Sequence, residues 1–332
     1  MVDSDASVAW RLFHLNWIPI AAMGGVLLMA IALSGFSLEP IAFGIALAVA
    51  AVLGLAAYGY AFARADQADP KLVFSLGTIS QIILVTAIVG PLSYVAGATN
   101  WPLQDHVLLA ADRALGMNPE SIASFVNHHA WLAICLDRGY GLIKWPLLGI
   151  PIILTLTLRL VRLQVFVLAL SLALAVTIAI SAFAPAIGTY YGLHVSPTDF
   201  PALNASVYAA QLRDILALRD GSLRHLELFK LAGIVSFPSF HAASAVLYTW
   251  ALWPVRRVGG LAAALNLLMI AATPVIGAHY TVDVIGGAGL AVASILVAKY
   301  CVALVADPTS AAAAGQPISV GSLQPGLGMK PQ

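Results

Sequence analysis

The chain has 332 residues, 61% of them hydrophobic and only 9% charged, with a mean hydropathy of +0.92. A soluble domain carries about 25% charged residues, so this composition excludes one and indicates an integral membrane protein. The net charge of +1 implies no nucleic-acid or acidic partner. The two cysteines, Cys135 and Cys301, lie in different apolar segments and suggest no disulfide framework, so they leave the redox compartment open.

A membrane-spanning helix needs about 20 apolar residues. Runs at 16–35, 40–62, 72–96, 139–158, 163–184, 238–255, 261–278 and 281–303 qualify. The first follows Arg11 but ends in no small-residue cleavage pattern, so it reads as a span and not a signal peptide. Arg64, Lys71, Arg159, Arg162, Arg256 and Arg257 all fall in short loops on one side. The positive-inside rule then puts the N-terminus in the cytoplasm and two long segments, 98–138 and 185–237, outside.

Leu103 to Leu115 reads as an interfacial helix, and Asn118-Pro119-Glu120 as a helix start with Asn at the cap and Pro at the first helical position. Trp131 suits the interface. Packing is the expected role of this segment, with His128 and His129 as the polar candidates for lipid or acceptor contact. The second outer segment runs from Pro185 through Arg213, Arg219 and Arg224 to Lys230, with Asp214, Asp220 and Glu227 among them. It reads either as a solvated helix with pairs such as Asp220–Arg224, or as the source of an arginine for a bound phosphate.

The expected fold class is all-α: a polytopic membrane helical bundle of about eight transmembrane helices. Its expected organisation is an N-terminal three-helix bundle over 1–97, outer interfacial helices over 98–138, a catalytic membrane core over 139–305 and a disordered tail over 306–332. That tail is rich in Ala, Gly, Pro and Ser.

Two stretches carry the chemistry. In Ser236-Phe237-Pro238-Ser239-Phe240-His241, Pro238 suits a first helical turn, with Ser236 or Phe237 as the cap. The amides of Ser239, Phe240 and His241 would then be free to hold an anion. In Gly277-Ala278-His279-Tyr280-Thr281-Val282-Asp283, His279 and Asp283 stand four residues apart, which puts them on one helix face. A carboxylate on one ring nitrogen fixes the tautomer and leaves the other as a nucleophile. Both histidines fall at outer helix ends, where imidazole is costly unless used. A lone interfacial histidine is more often simply hydrogen-bonded; two with these neighbours point to phosphoryl transfer. Paired intramembrane histidines also ligate haem, which leaves Asp283 without a purpose. A non-catalytic lipid carrier is a third reading, but no motif residue is lost.

Pro238-Ser239-Phe240-His241 is similar to the Pro-Ser-Gly-His motif of the type 2 phosphatidic acid phosphatase (PAP2) superfamily. His279 to Asp283 resembles its His-x3-Asp motif. The resemblance covers about Tyr140 to Tyr300 and implies a five-helix phosphatase-type core. Phe240 stands for the usual glycine, Thr273 for an arginine, and the usual Lys-x6-Arg-Pro stretch is missing. These departures resemble the inositol phosphorylceramide synthase, or inositolphosphotransferase-like, branch. The resemblance implies His279 as nucleophile, Asp283 as its support, His241 as the acid, and Ser239 with the helix-start amides on the phosphate. Phe240 is then also at the substrate. Arg219, Arg224 and Lys144 are the expected replacements for the missing cations. The implied substrate is a lipid phosphate or phosphoinositol-type lipid with a lipid alcohol as acceptor, or, with water as acceptor, a lipid phosphate or isoprenyl diphosphate. No cofactor or metal is called for, and the expected location is a bacterial inner membrane with the site facing outward.

Overall fold

The computed structural model describes residues 2–64 and 67–306. Apart from Ala306, the expected tail lies outside the described residues. The chain runs α1 (Val2–Leu15), α2 (Trp17–Ser34), β1 (Ser37–Leu38), α3 (Pro40–Arg64), α4 (Pro70–Gly97), α5 (Asp105–Ala114), α6 (Pro119–Asn127) and α7 (Ala130–Tyr140). It continues with α8 (Pro146–Leu156), α9 (Leu160–Phe183), α10 (Thr189–Leu193), α11 (Ser206–Arg219), β2 (His225–Leu226), α12 (Phe240–Leu252), α13 (Val258–Ile276) and α14 (Thr281–Ala306). Local chemistry sets the ends. Asp69 accepts from the Lys71 amide at 2.8 Å ahead of Pro70, and Asn118 accepts from Glu120 and Ser121 at 3.1 and 3.3 Å ahead of Pro119. Both are caps followed by a proline in the first turn.

Six helical stretches among the described residues are long and apolar enough to cross a membrane: Asp5–Ser34, α3, α4, α9, α13 and α14. Two of the eight expected spans differ. The run at 139–158 is part of a broken span, in which Ala130–Lys144 and Pro146–Leu156 meet at a 59° bend. Pro146 lacks an amide hydrogen and cannot continue the helix ahead of it. The run at 238–255 forms α12, 13 residues long. At 1.5 Å per residue this is about 20 Å of a hydrocarbon layer about 30 Å thick. A third difference is α1, a helix unforeseen from sequence. It buries Ala9, Leu12 and Phe13 in the main core.

That core is built around α9, whose Leu163, Phe166 and Leu170 are buried against α4, α12 and α14. The N-terminal segment shares it. Asn16 Nδ2 donates to Gln164 Oε1 at 2.9 Å, and Gln164 Nε2 donates to Thr78 Oγ1 at 3.0 Å. Residue 97 thus marks a change in sequence character, not a gap in packing. Large apolar side chains on α2 and α3, such as Leu33, Leu55 and Phe62, face outward, as suits lipid contact. At one end of the bundle β1 pairs with β2 in parallel, so the α2–α3 loop touches the segment leading to α12.

Candidate active site

The α12 start is not as expected. The cap is Ser239, whose Oγ accepts from the Ala242 amide at 3.4 Å, and Pro238 lies ahead of it, outside the helix. A serine hydroxyl satisfies an orphan amide that proline leaves open. The Ser239 amide is not free either: it donates to the main-chain oxygen of Asp283 at 3.0 Å. Ser239 is fully buried and lies outside the cavity wall described below. Among the described residues, the amides of Phe240 and His241 meet no backbone acceptor, so two donors remain at this helix start. Gly287 makes the contact with α14 possible. A Cβ there would lie 2.0 Å from the Ser239 carbonyl oxygen.

His279 stands in the link between α13 and α14. Its Nδ1 lies 3.2 Å from Asp283 Oδ2, which also accepts from Ser236 Oγ at 2.9 Å and the Tyr280 amide at 3.1 Å. Asp283 is 0% exposed and His279 4%. Three donors on one oxygen hold the carboxylate in place, and the carboxylate holds the imidazole. With Nδ1 donating to Asp283, the lone pair lies on Nε2.

The rings of His241 and His279 lie 6.4 Å apart, centroid to centroid, at 58°. Both line one cavity of about 710 Å³. Tyr140 and Lys144 reach it from the bend between α7 and α8, and Phe240 from α12. Val89 and Gly90 of α4 and Leu174 and Ile178 of α9 form an apolar wall. Asp137, Ser206 and Gln211 add polar groups. A pocket with a broad apolar wall and a few convergent polar groups suits an amphiphile.

A family profile described as PAP2 superfamily matches residues 106–297, more than half of the chain. The chain belongs to the PAP2 superfamily. Comparison with curated proteins and with solved structures returns no match. Membership supports lipid-phosphate chemistry of the phosphatase or phosphotransfer type in an integral membrane protein. The PAP2 match takes in both histidine motifs, Lys144 and the whole 185–237 segment; it begins one residue into α5, and α1 to α4 precede it.

Within the PAP2 region the sequence-derived cations separate. Lys144 lines the cavity. Arg219 and Arg224 do not. Arg219 Nη1 donates to the carbonyls of Thr99 and Trp101 at 3.1 and 3.0 Å. Arg224 Nη1 donates to the carbonyls of Leu218 and Leu223, both at 2.9 Å, and its guanidinium lies 4.7 Å from the Phe36 ring centroid. Both serve to tie down main chain. The expected Asp220–Arg224 pair does not form, because α11 ends at Arg219 and Asp220 closes a turn onto the Ser222 amide at 2.8 Å. Thr273 donates to the Met269 carbonyl within α13 at 2.8 Å. His128 and His129 bond to carbonyls of their own helix and lie away from the two histidines.

Sequence reasoning missed two acids in this PAP2 chain. Asp112 of α5, fully buried, accepts from the Thr281 and Val282 amides, both at 2.8 Å, and so caps α14 from outside. Asp105, two turns earlier on the same face of α5, accepts from the amides of Ile187 and Gly188 and from the Tyr280 hydroxyl at 3.0 Å. Burial and then the Asp105 charge push the Tyr280 hydroxyl above its ordinary range, so it stays a donor. Helix α5 therefore clamps the segment that carries His279. The signal was present as two acids seven residues apart in an amphipathic helix. Asp112→Ala removes both acceptors from the α14 start. A hydrogen bond to a charged group is worth roughly 1.5–3 kcal/mol, so turnover should fall at least about tenfold and the melting temperature should drop. Asp112→Asn, which keeps one acceptor oxygen, should fall between. Turnover and thermal melts in detergent test this, and wild-type values in Asp112→Ala would show that α5 only packs.

Proposed function

We propose that the protein transfers a phosphorylated headgroup between lipids through a covalent phosphohistidine on His279. The observation that carries this reading is the facing pair of imidazoles on one amphiphile-sized cavity, one of them locked by a buried carboxylate. His279 Nε2 attacks phosphorus, and Asp283 supports the charge that develops on the ring. The leaving-group oxygen takes a proton from His241. The Phe240 and His241 amides, at a positive helix end, hold phosphate oxygens with Lys144. Ser239 contributes as the cap that presents those amides. An acceptor hydroxyl then gives its proton to His241, attacks phosphorus and frees His279.

The acceptor decides between transferase and phosphatase. Phe240 and Thr273 favour the inositolphosphotransferase-like branch. Phe240 puts an aromatic ring in the cavity wall where the phosphatase motif has glycine, and Thr273 leaves no cation on α13 at that point. Water as acceptor, giving a lipid phosphate phosphatase, is the second reading. Detergent-solubilised protein should be offered lipid phosphates and phosphoinositol lipids with and without lipid alcohols. New lipid species formed only with an alcohol support transfer; free phosphate alone supports hydrolysis; neither product overturns the reading. Activity should persist in EDTA.

Lys144 is the proposed phosphate cation. Lys144→Ala should lower kcat/KM by about ten- to a hundred-fold, the size of one charge-assisted contact. Lys144→Arg should recover part of it. Unchanged kinetics in Lys144→Ala would remove the lysine from the phosphate site.

The proposed orientation places this site on the extracytoplasmic side, and the proposed organisation keeps 139–305 as the catalytic core. Arg159 bonds the Pro254 carbonyl and Arg162 the Ala251 carbonyl, both at 2.9 Å, so two of the basic loops meet at the bundle end remote from the histidines. A cysteine placed at Ala205 in a cysteine-free background should react with an impermeant label in intact cells. Labelling that requires permeabilisation would reverse the orientation.

A further inference from the structure

His241 and His279 are held in different ways. A carboxylate bonded to one ring nitrogen fixes His279. Among the described residues, no hydrogen bond reaches either ring nitrogen of His241. Its ring lies instead flat on Tyr140, with centroids 3.9 Å apart and planes within 15°. Tyr140 is the last residue of α7, just ahead of the bend, and it also lines the cavity. Gly277 lets this ring close up against the site: a Cβ there would lie 2.7 Å from Tyr140 Cε2 and 2.7 Å from His279 Cδ2.

We infer that Tyr140 is a positioning residue for His241, its ring holding the imidazole in the plane from which it donates a proton to the leaving oxygen. A parallel stack fixes a ring's plane but leaves both nitrogens open at its edge. That suits a proton donor, which must release the proton and take another from the acceptor. The face of an aromatic ring also attracts a cation more than a neutral ring, so the stack offsets part of the desolvation that opposes a charged imidazole in the cavity. The inference rests on the proposed role of His241 as the acid. In that step the His279 Nε2 lone pair forms the N–P bond, and the P–O pair leaves on oxygen. That oxygen takes the His241 proton, leaving His241 neutral.

The test uses leaving groups. An alkoxide needs the proton as it departs, whereas a nitrophenolate does not. The full-length protein should be assayed for kcat/KM on an accepted alkyl phosphate lipid and on its 4-nitrophenyl counterpart. General-acid catalysis contributes about 10²- to 10⁴-fold, so His241→Gln should lose that on the alkyl substrate and far less on the aryl one. Tyr140→Leu should lose about tenfold on the alkyl substrate, in line with a ring–cation contact, and about twofold or less on the aryl one. Tyr140→Phe should restore the wild-type ratio. Equal losses on both substrates in Tyr140→Leu would make Tyr140 a wall residue and overturn the inference. A Phe variant that behaves like Leu would assign the effect to the hydroxyl and overturn it too. If Tyr140→Leu does not fold, Tyr140→Met carries the same comparison. Equal losses in His241→Gln would instead overturn the acid role of His241, whatever Tyr140 does.

Discussion

Replacing His279 with alanine should abolish turnover of every substrate the protein accepts. The proposed reaction has one nucleophile, and loss of a nucleophile in a concerted site costs at least about 10⁴-fold. The fold should survive. Asp283 keeps two of its three donors, Ser236 Oγ and the Tyr280 amide, so its buried charge is not stranded. The α12–α14 junction also stays, because it runs through the Ser239 amide and the Asp283 carbonyl. Three measurements belong together: turnover, the melting temperature, and an acid-labile phosphoprotein after rapid quench with labelled substrate. Wild type should show the labelled protein and His279→Ala should not. A labelled, folded His279→Ala protein would place the nucleophile elsewhere.

Asp283→Asn should be nearly as damaging, with kcat reduced by about 10³- to 10⁴-fold, as when a triad carboxylate becomes an amide. The amide has nearly the same shape but no charge to offset the positive ring. Its oxygen can still accept from some of the three donors, so binding should change little and KM should stay near wild type. The phosphoenzyme should still form, slowly. An Asp283→Asn protein retaining half of its wild-type kcat would reduce the carboxylate to a structural tie.

What the sequence revealed follows the range of each interaction. His279 and Asp283 are four residues apart, so their contact was readable from spacing, although His279 lies just ahead of α14 and not on a shared helix face. The all-α bundle was readable too, since each span is a local property of its own run of apolar residues. Helix ends were less legible. Pro238 and Ser239 both suit a helix start, and the choice between them depended on an acceptor on α14, more than 40 residues away. Asp105 and Asp112 looked like ordinary acids of an interfacial helix because the amides they cap lie some 80 to 170 residues downstream. Arg219 and Arg224 stand close to Pro238 in the chain, yet Arg219 turns to carbonyls of the loop after α4 and Arg224 to those of Leu218 and Leu223. Lys144 was marked by its depth in an apolar run. The bend beside it, which brings Lys144 and Tyr140 to the cavity, needed the packing of α7 against α13 and could not be counted from residue periodicity.

The joint between α12 and α14 is made of main chain: an amide of Ser239, a carbonyl of Asp283 and a glycine that lets them meet. The distance between the two imidazoles is therefore written into the backbone, while the cavity's rim is written in side chains borne by other helices. Asp137, Ser206 and Gln211 stand on α7 and α11, away from that joint. Exchanging Asp137 or Ser206 should alter which headgroup fits and leave the reacting pair in register, whereas Gln211 also donates to the Ile234 carbonyl ahead of α12. Such an arrangement assigns recognition and reaction to different parts of the fold.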